Sequence, residues 1–172
     1  MNALAAAAAT SAVGIELAAI RAPVSQRRAD RSRMRVVTLA SGVTVVDDSY
    51  NANPASVAAA LRGLAAAPAT RRIAVLGDML ELGPASAAQH RAVGTLAGTL
   101  GLAAALPAWR LRGRDRRRCR GRHARPRPSM WRANHAAIAA ALVADARRGD
   151  WVLVKGSRGQ RMEEVVRLLG AA

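Results

Sequence analysis

The sequence contains no phenylalanine, one tyrosine and one cysteine among its 172 residues. The single cysteine, Cys119, excludes an internal disulfide framework and suits a reducing compartment. No apolar run is both long and bulky enough to cross a bilayer, so we expect no membrane partner. The alanine-rich first twenty residues lack the basic start of a secretory signal and contain Glu16. They therefore predict a helix rather than a signal peptide.

Lysine is as rare as tyrosine and cysteine: Lys155 is the only one, whereas the chain contains 26 arginines. This ratio is typical of a GC-rich coding sequence, in which arginine replaces lysine wherever it is tolerated. The only tyrosine, Tyr50, and two of the four asparagines lie together in the stretch "DDSYNANP", residues 47–54. Residues that persist against such a compositional bias indicate positions where the particular side chain is needed.

Most of the positive charge is concentrated in one segment. The chain carries a net charge of +16, and residues 109–132 contain eleven arginines and one aspartate, a net charge of +10. The segment 107–132 shows no apolar periodicity, so we expect it to pack poorly against any core.

Two interpretations of this arginine-rich segment remain open. A GC-rich gene read in another frame gives such arginine and proline strings. Alternatively, the chain is an arginine-rich nucleic-acid-binding protein, in which residues 110–132 contact phosphates non-specifically and Trp109 and Trp131 stack on bases. Translation of the other two frames behind residues 105–133 separates the two interpretations.

Outside this segment, apolar strands alternate with helical patterns. Two strands flank a turn at Ser41-Gly42, and Pro54 suits the first turn of a following helix. The complete pattern predicts helices over 2–20, 54–67, 85–100, 134–147 and 160–170, a connector over 22–33, and further strands over 71–78 and 150–155. Strands followed by helices at this spacing predict an α/β fold with a largely parallel sheet.

Three polar or glycine-rich loops follow predicted strands. They are "DDSYNANP" (47–54), "LGDMLELG" (76–83) and "KGSRG" (155–159). Ligands of open parallel sheets lie at the carboxyl ends of the strands. We therefore expect the three loops to share one site at one edge of the sheet, which we call the rim.

The 47–54 loop supports two interpretations. Its carboxylates and amides can bind hydroxyl groups, an ammonium group or metal-bound water, and asparagine both donates and accepts hydrogen bonds. Alternatively, its polar residues only form turns and helix caps. The residues concerned are Asp47, Asp48, Ser49, Asn51 and Asn53.

The other two loops differ in their chemistry. Lys155, Ser157 and Arg158 of the 155–159 loop suit a carboxylate or phosphate, although an exposed turn is the alternative. In the 76–83 loop, Asp78 and Glu81 can cap, coordinate or remain solvated. We interpret His90, on the helix that follows, as a surface or packing residue. The chain contains no GxxxxGK[ST] phosphate loop.

Three blocks of the sequence resemble the C-terminal domain of the Mur ligase family. They are "SGVTVVDDSYNANPASVAAAL", "RRIAVLGDMLELGPASAAQH" and "DWVLVKGSRGQRMEEVV", and "SRMRVV" resembles the short segment before the domain's first strand. The resemblance covers roughly residues 1–100 and 134–170. It implies a Rossmann-like, mostly parallel sheet with flanking helices over 31–172. It also implies that residues 1–30 are a helical remnant and linker of the central ATPase domain.

The resemblance implies an ATP-dependent amide ligase of peptidoglycan synthesis that acts in the cytoplasm. In the matching branch of the family, ATP phosphorylates the carboxylate of UDP-N-acetylmuramoyl-tripeptide, D-alanyl-D-alanine attacks through its amine, and Mg²⁺ assists. Without a phosphate loop, this fragment alone is expected to be inactive.

The resemblance also assigns roles to individual residues. Arg33, Asp48 and Asn51 are expected to meet ATP, with the loop of Asp48 facing either the ribose or the dipeptide. Substrate binding is expected from a second set, whose cations hold the carboxylate of the dipeptide: Asn53, Lys155, Ser157 and Arg158. No catalytic residue and no metal ligand is expected within the fragment.

Overall fold

The computed structural model of the chain describes residues 2–16, 18–21, 33–102, 104–107 and 134–170. The chain divides into two compact units, Met1–Asp30 and Arg31–Ala172. The expectations for the arginine-rich segment 107–132 fall outside the described residues except at Pro107, and so does nearly all of the predicted connector over 22–33.

The first unit contains helix α1, Asn2–Ala12. The prediction of one continuous helix over 2–20 is wrong, because the chain turns at Gly14 and resumes helical geometry only at residues 18–21. Gly14 adopts a φ of 86°, and its N–H donates to the carbonyl of Ser11 at 3.0 Å. Glycine tolerates this left-handed conformation, which commonly ends a helix.

The second unit alternates strands and helices as the sequence predicts. Its elements are β1 Arg35–Thr38, β2 Thr44–Asp48, α2 Pro54–Ala65, β3 Arg72–Leu76, α3 Ser86–Thr99, β4 Ala104–Pro107, α4 His135–Asp145, β5 Trp151–Lys155 and α5 Glu163–Leu168. Short 3₁₀ turns over Gly83–Ala85 and Arg158–Gln160 precede α3 and α5. The sequence pattern missed β4, and it placed the start of the closing helix three residues too early.

The five strands form one sheet in the order β1-β2-β5-β3-β4. β1 and β2 form an antiparallel hairpin, and all other neighbouring strands are parallel. The predicted α/β fold with a mostly parallel sheet is therefore confirmed. The last strand in the sequence, β5, lies at the centre of the sheet, where Lys155 is in register with Asp48 on one side and Leu76 on the other.

Apolar residues fill both faces of the sheet because successive strand residues point to opposite sides. On one face, Ala74 and Leu153 pack in a buried cluster with residues of α2 and α3. On the other face, Val75, Val152 and Val154 pack with residues of α4 and α5. With helices on both sides, the central strands are buried along nearly their whole length, and their polar chemistry is confined to the strand ends.

A buried ion pair fixes the edge of the sheet opposite the rim. Asp150, just before β5, is 1% exposed, and its carboxylate accepts hydrogen bonds from Nη2 of Arg71 at 2.5 Å and from the backbone N–H of Arg147 at 2.7 Å. Burial acts to raise the pKa of Asp150, but the hydrogen bonds and charge of Arg71, with the Arg147 N–H, outweigh it and hold that pKa below its ordinary value.

Asp150→Asn is expected to lower the free energy of unfolding by about 1–3 kcal/mol at pH 7, because the charged hydrogen bonds to Arg71 are lost. A lowered folded-state pKa stabilises the fold above the ordinary carboxyl pKa of about 3.9 and loses that stabilisation as the pH falls through the folded value. The stability difference between wild type and variant should therefore shrink below about pH 4.

Denaturant unfolding of the chain across pH 2.5–7 (about half-unit steps) measures this difference. The matched control is Asp145→Asn, because Asp145 also lies 3.4 Å from Arg71 but is 67% exposed, and it should have little effect. A stability difference that stays constant to the lowest pH would contradict the assignment.

Candidate functional site

The three polar loops meet at the carboxyl ends of β2, β3 and β5, which confirms the prediction that they lie at one edge of the sheet. Ser157 joins all three. Its hydroxyl donates to the carbonyl of Ala52 at 3.1 Å and accepts the N–H of Leu80 at 2.9 Å. Its own N–H donates to the carbonyl of Asp78 at 3.0 Å. With 4% exposure, the Ser157 side chain serves as a connection between loops rather than as an open surface group.

Glycines allow two of the loops to approach each other closely. A Cβ atom on Gly156 would lie 2.6 Å from Cγ of Met162 and 3.1 Å from Cα of Gly77. The N–H of Gly77 donates to the carbonyl of Lys155 at 2.7 Å. The ends of β3 and β5 therefore stay hydrogen-bonded one residue past the end of β3, and a side chain at Gly156 would separate them.

Lys155 lies beneath the rim rather than on it. Its Nζ is 2.5 Å from Oδ2 of Asp48 and donates to the carbonyl of Asn51 at 2.9 Å. The lysine is 3% exposed and the Asp48 side chain 14% exposed. A buried ammonium group is costly unless it is paired and hydrogen-bonded. The chain therefore uses its one lysine to attach the 47–54 loop to the end of the central strand.

Local hydrogen bonds fix the rest of the 47–54 loop. Asp47 is buried, and its Oδ1 accepts both the N–H of Ser49 at 3.1 Å and the Ser49 hydroxyl at 2.6 Å. Asn53 caps α2: its Oδ1 accepts the N–H of Ser56 at 2.8 Å, and its own N–H donates to the Ser56 hydroxyl. The interpretation as turn and cap residues therefore accounts for Asp47, Ser49 and Asn53.

Asn51 has a similar local contact, since its Oδ1 accepts the N–H of Ala52 at 2.9 Å. The predicted binding roles of Asn51 and Asn53 stay predictions. Each side-chain oxygen already accepts a loop hydrogen bond.

One aromatic ring and two arginines are among the exposed side chains at the rim. Tyr50 is 39% exposed, and Cζ of Arg33 lies 4.0 Å from the centroid of its ring. Cζ of Arg158 lies 5.8 Å from the same centroid, and Nη1 of Arg158 is 3.6 Å from Oε1 of Glu163. Both guanidinium groups are within cation–π range of the ring. Arg33 and Arg158 are thus the two predicted site residues that are both cationic and exposed, and Asn51 and Asn53 are exposed as well.

His90 has a role at the rim that the sequence did not reveal. It is 6% exposed, its Nε2 accepts the N–H of Met79 at 3.0 Å, and its Nδ1 donates to the carbonyl of Ser86 at 2.8 Å. The expected packing role is confirmed, and the ring in addition holds the 76–83 loop. The available signal was its spacing with Val93 and Ala97, which places it on the buried face of α3.

A cavity of about 390 Å³ opens at the other edge of the sheet, lined mainly by apolar side chains that include Leu39, Leu142, Val152 and Leu169. It contains no residue of the three loops and lies apart from the candidate site.

Comparison with known proteins identifies the family. The family model described as "Mur ligase, glutamate ligase domain" matches residues 32–158, which include the first two loops and all but the last residue of the third. The chain belongs to the Mur ligase family. Within this family, a UDP-N-acetylmuramoyl-tripeptide–D-alanyl-D-alanine ligase of Escherichia coli is 38% identical over 173 residues, covering 98% of this chain and 36% of the relative. The same-named ligase of Mycobacterium bovis is 45% identical over 102 residues, covering 56% of this chain and 20% of the relative.

Solved Mur ligase structures share the fold. MurF from Acinetobacter baumannii superimposes with a TM-score of 0.72 at 25% identity, covering 96% of this chain and 36% of that protein. MurF ligase from Thermotoga maritima, solved in complex with ADP, gives a TM-score of 0.66 at 26% identity and covers 84% and 32% of the respective chains. The chain thus spans about a third of the length of the full-length relatives that it matches.

Two further findings concern the described part of this Mur ligase chain. No helix there is long and apolar enough to span a bilayer. No group of three histidine, cysteine, aspartate or glutamate side chains is arranged there to hold a metal ion.

Replacing Lys155 tests the buried attachment. Lys155→Met leaves Asp48 unpaired and should lower the free energy of unfolding by about 2–4 kcal/mol. Lys155→Arg keeps the charge but places a longer, planar group in a closed site, so a loss of about 1–3 kcal/mol is expected from overpacking. Denaturant unfolding of the chain measures both losses.

The control is Arg62→Lys on the exposed face of α2, which should stay within about 0.5 kcal/mol of wild type. The double variant Lys155→Met/Asp48→Asn should lose less stability than the sum of its two single variants. If Lys155→Arg is as stable to unfolding as the control variant, this position does not require the compact shape of an ammonium group.

Proposed function

We propose that this chain is the C-terminal part of an ATP-dependent ligase that joins D-alanyl-D-alanine to UDP-N-acetylmuramoyl-tripeptide in peptidoglycan synthesis, in the cytoplasm. One observation carries the proposal: each of the three blocks that resemble the family contains a loop, and Lys155 and Ser157 connect these loops into one rim. The names of the relatives support the substrates, and the neighbour solved with ADP supports a nucleotide.

On the nucleotide side, Arg33 supplies an exposed guanidinium group for phosphate oxygens. Asp48 and Asn51 shape the loop beside it, and the Asp48 carboxylate is oriented by its ion pair with Lys155. This arrangement leaves the ribose or the base of ATP as the partner for the outer surface of the loop. The phosphate loop of the ligase belongs to another part of the enzyme, since this sequence has none.

On the dipeptide side, Arg158 is the cation suited to the carboxylate of D-alanyl-D-alanine, because its side chain is 66% exposed. Lys155 and Ser157 are buried and hydrogen-bonded within the rim, which favours a role in holding the loops over direct contact with the carboxylate. Asn53 contributes to the dipeptide side indirectly, through the cap that its side chain forms on α2. A dipeptide held by its carboxylate can direct its amine at the activated tripeptide carboxylate, so orientation is what this domain supplies to the reaction.

The family also implies Mg²⁺. The described residues do not fit a metal site of their own, because they contain no group of three suitable ligands and the Asp48 carboxylate is already paired with Lys155. We therefore assign no step of the reaction to Mg²⁺ within this domain.

A chimaera tests the proposal. This chain replaces the aligned part of the Escherichia coli relative, and phosphate release is measured with ATP, Mg²⁺, UDP-N-acetylmuramoyl-tripeptide and D-alanyl-D-alanine. The chimaera should release phosphate only when both substrates are present, whereas the chain alone should release none because it lacks the phosphate loop. Substrate-dependent release by the chain alone, or none by a folded chimaera, would overturn the proposal.

Single variants of the chimaera test the two sides separately. Arg158→Ala should raise KM for D-alanyl-D-alanine by about ten- to hundredfold, the range for loss of hydrogen bonds to a charged group. Arg33→Ala should raise KM for ATP instead. Arg62→Ala, on the exposed face of α2, is the control and should change neither value.

A further inference from the structure

The single tyrosine of the chain contacts both exposed cations of the rim. Arg33 lies just before β1 and Arg158 just after β5, yet their guanidinium carbons are 4.0 and 5.8 Å from the centroid of the Tyr50 ring. An aromatic ring presents a negative face that attracts cations. One ring therefore brings together two like charges that would otherwise repel each other.

The backbone that carries this ring is fixed on both sides. On the preceding side, the buried Asp47 holds the N–H and hydroxyl of Ser49. On the following side, Lys155 holds the carbonyl of Asn51. Tyr50 is thus attached to the sheet through its two neighbours, while its own side chain remains 39% exposed at the rim. A side chain in this position orients others without being part of the core.

We propose that Tyr50 is a positioning residue that holds Arg33 and Arg158 over the rim and thereby links its nucleotide side to its dipeptide side. This inference rests on the proposed function for the identity of the two ligands. A free arginine side chain samples many rotamers, and a cation–π contact at an exposed site favours one orientation by about two- to fivefold. Removing the ring therefore weakens both sides at once, although the two arginines are far apart in the sequence.

The ring face carries this role, because the guanidinium carbons of both arginines lie over the ring. Phenylalanine keeps the face and should substitute for tyrosine. Leucine keeps a comparable apolar bulk but has no aromatic face. Comparison of Tyr50→Phe with Tyr50→Leu thus separates the cation–π contact from simple packing.

The first experiment uses the chain itself and needs no activity. Protons on Cδ of an arginine stacked on an aromatic ring show an upfield ring-current shift in NMR. Arg33 and Arg158 should both show that shift in the wild type and in Tyr50→Phe, and both should lose it in Tyr50→Leu. Tyr50→Gln serves as a second ring-free variant if Tyr50→Leu does not fold. Unshifted arginine signals in the wild type would overturn the inference.

The second experiment uses the chimaera. Tyr50→Leu should raise KM for ATP and KM for D-alanyl-D-alanine by about two- to fivefold each, and Tyr50→Phe should retain the wild-type values. In an Arg158→Ala background, Tyr50→Leu should have no further effect on KM for the dipeptide. Leu168→Ala is the control, because Leu168 is similarly exposed at 41% but lies on α5, outside the rim.

The outcomes separate this inference from the proposed function. If Arg33→Ala and Arg158→Ala change neither KM, the assignment of the two ligands is wrong whatever Tyr50 does. If those variants act as expected and Tyr50→Leu equals Tyr50→Phe in both KM values, the positioning role of Tyr50 is wrong and the proposed function stands.

Discussion

The ion pair between Lys155 and Asp48 is the interaction on which the arrangement of the rim depends. Lys155 ends the central strand, and burial of its ammonium group is tolerated only because Asp48 and the carbonyl of Asn51 surround it. Once that group is satisfied, the path of the 47–54 loop is determined. The loop then offers the carbonyl of Ala52 to Ser157, and through Ser157 the 76–83 loop joins the same rim.

An ion pair with a buried side chain fixes each end of the sheet, but only one end carries the candidate site. At the amino end of β5, Asp150 is buried against Arg71, and no residue of the rim is involved. At the carboxyl end, Lys155, Ser157 and His90 are buried and hydrogen-bonded within the fold, whereas Arg33, Tyr50 and Arg158 are among the exposed side chains. The exposed arginines therefore stand on a rigid base, since buried polar contacts with complete hydrogen bonding hold one conformation.

Much of the fold could be predicted because its local signals agree with one another. The alternation of apolar strands and helices predicted the sheet and the rim, and the three resembling blocks predicted the family. The errors have local causes. The helix over 2–20 was predicted across Gly14, because an isolated glycine within an alanine-rich run does not show from sequence alone that it adopts a positive φ. Strand β4 was missed because its four residues, "AALP", adjoin an arginine-rich segment and carry little strand signal.

The burial of the individual rim residues could not be predicted, for a different reason. The sequence by itself determined the family, the order of most elements and the edge of the sheet on which the polar loops meet, because these follow from periodicity and from contiguous motifs. Only the tertiary structure decided which polar residues are buried and which are exposed. Lys155 and Asp48 are 107 residues apart, and Ser157 and Ala52 are 105 apart. Burial of a side chain depends on neighbours contributed by distant segments. A lysine that the motif suggests for a ligand carboxylate therefore lies beneath the loop, whereas an arginine three residues later is exposed.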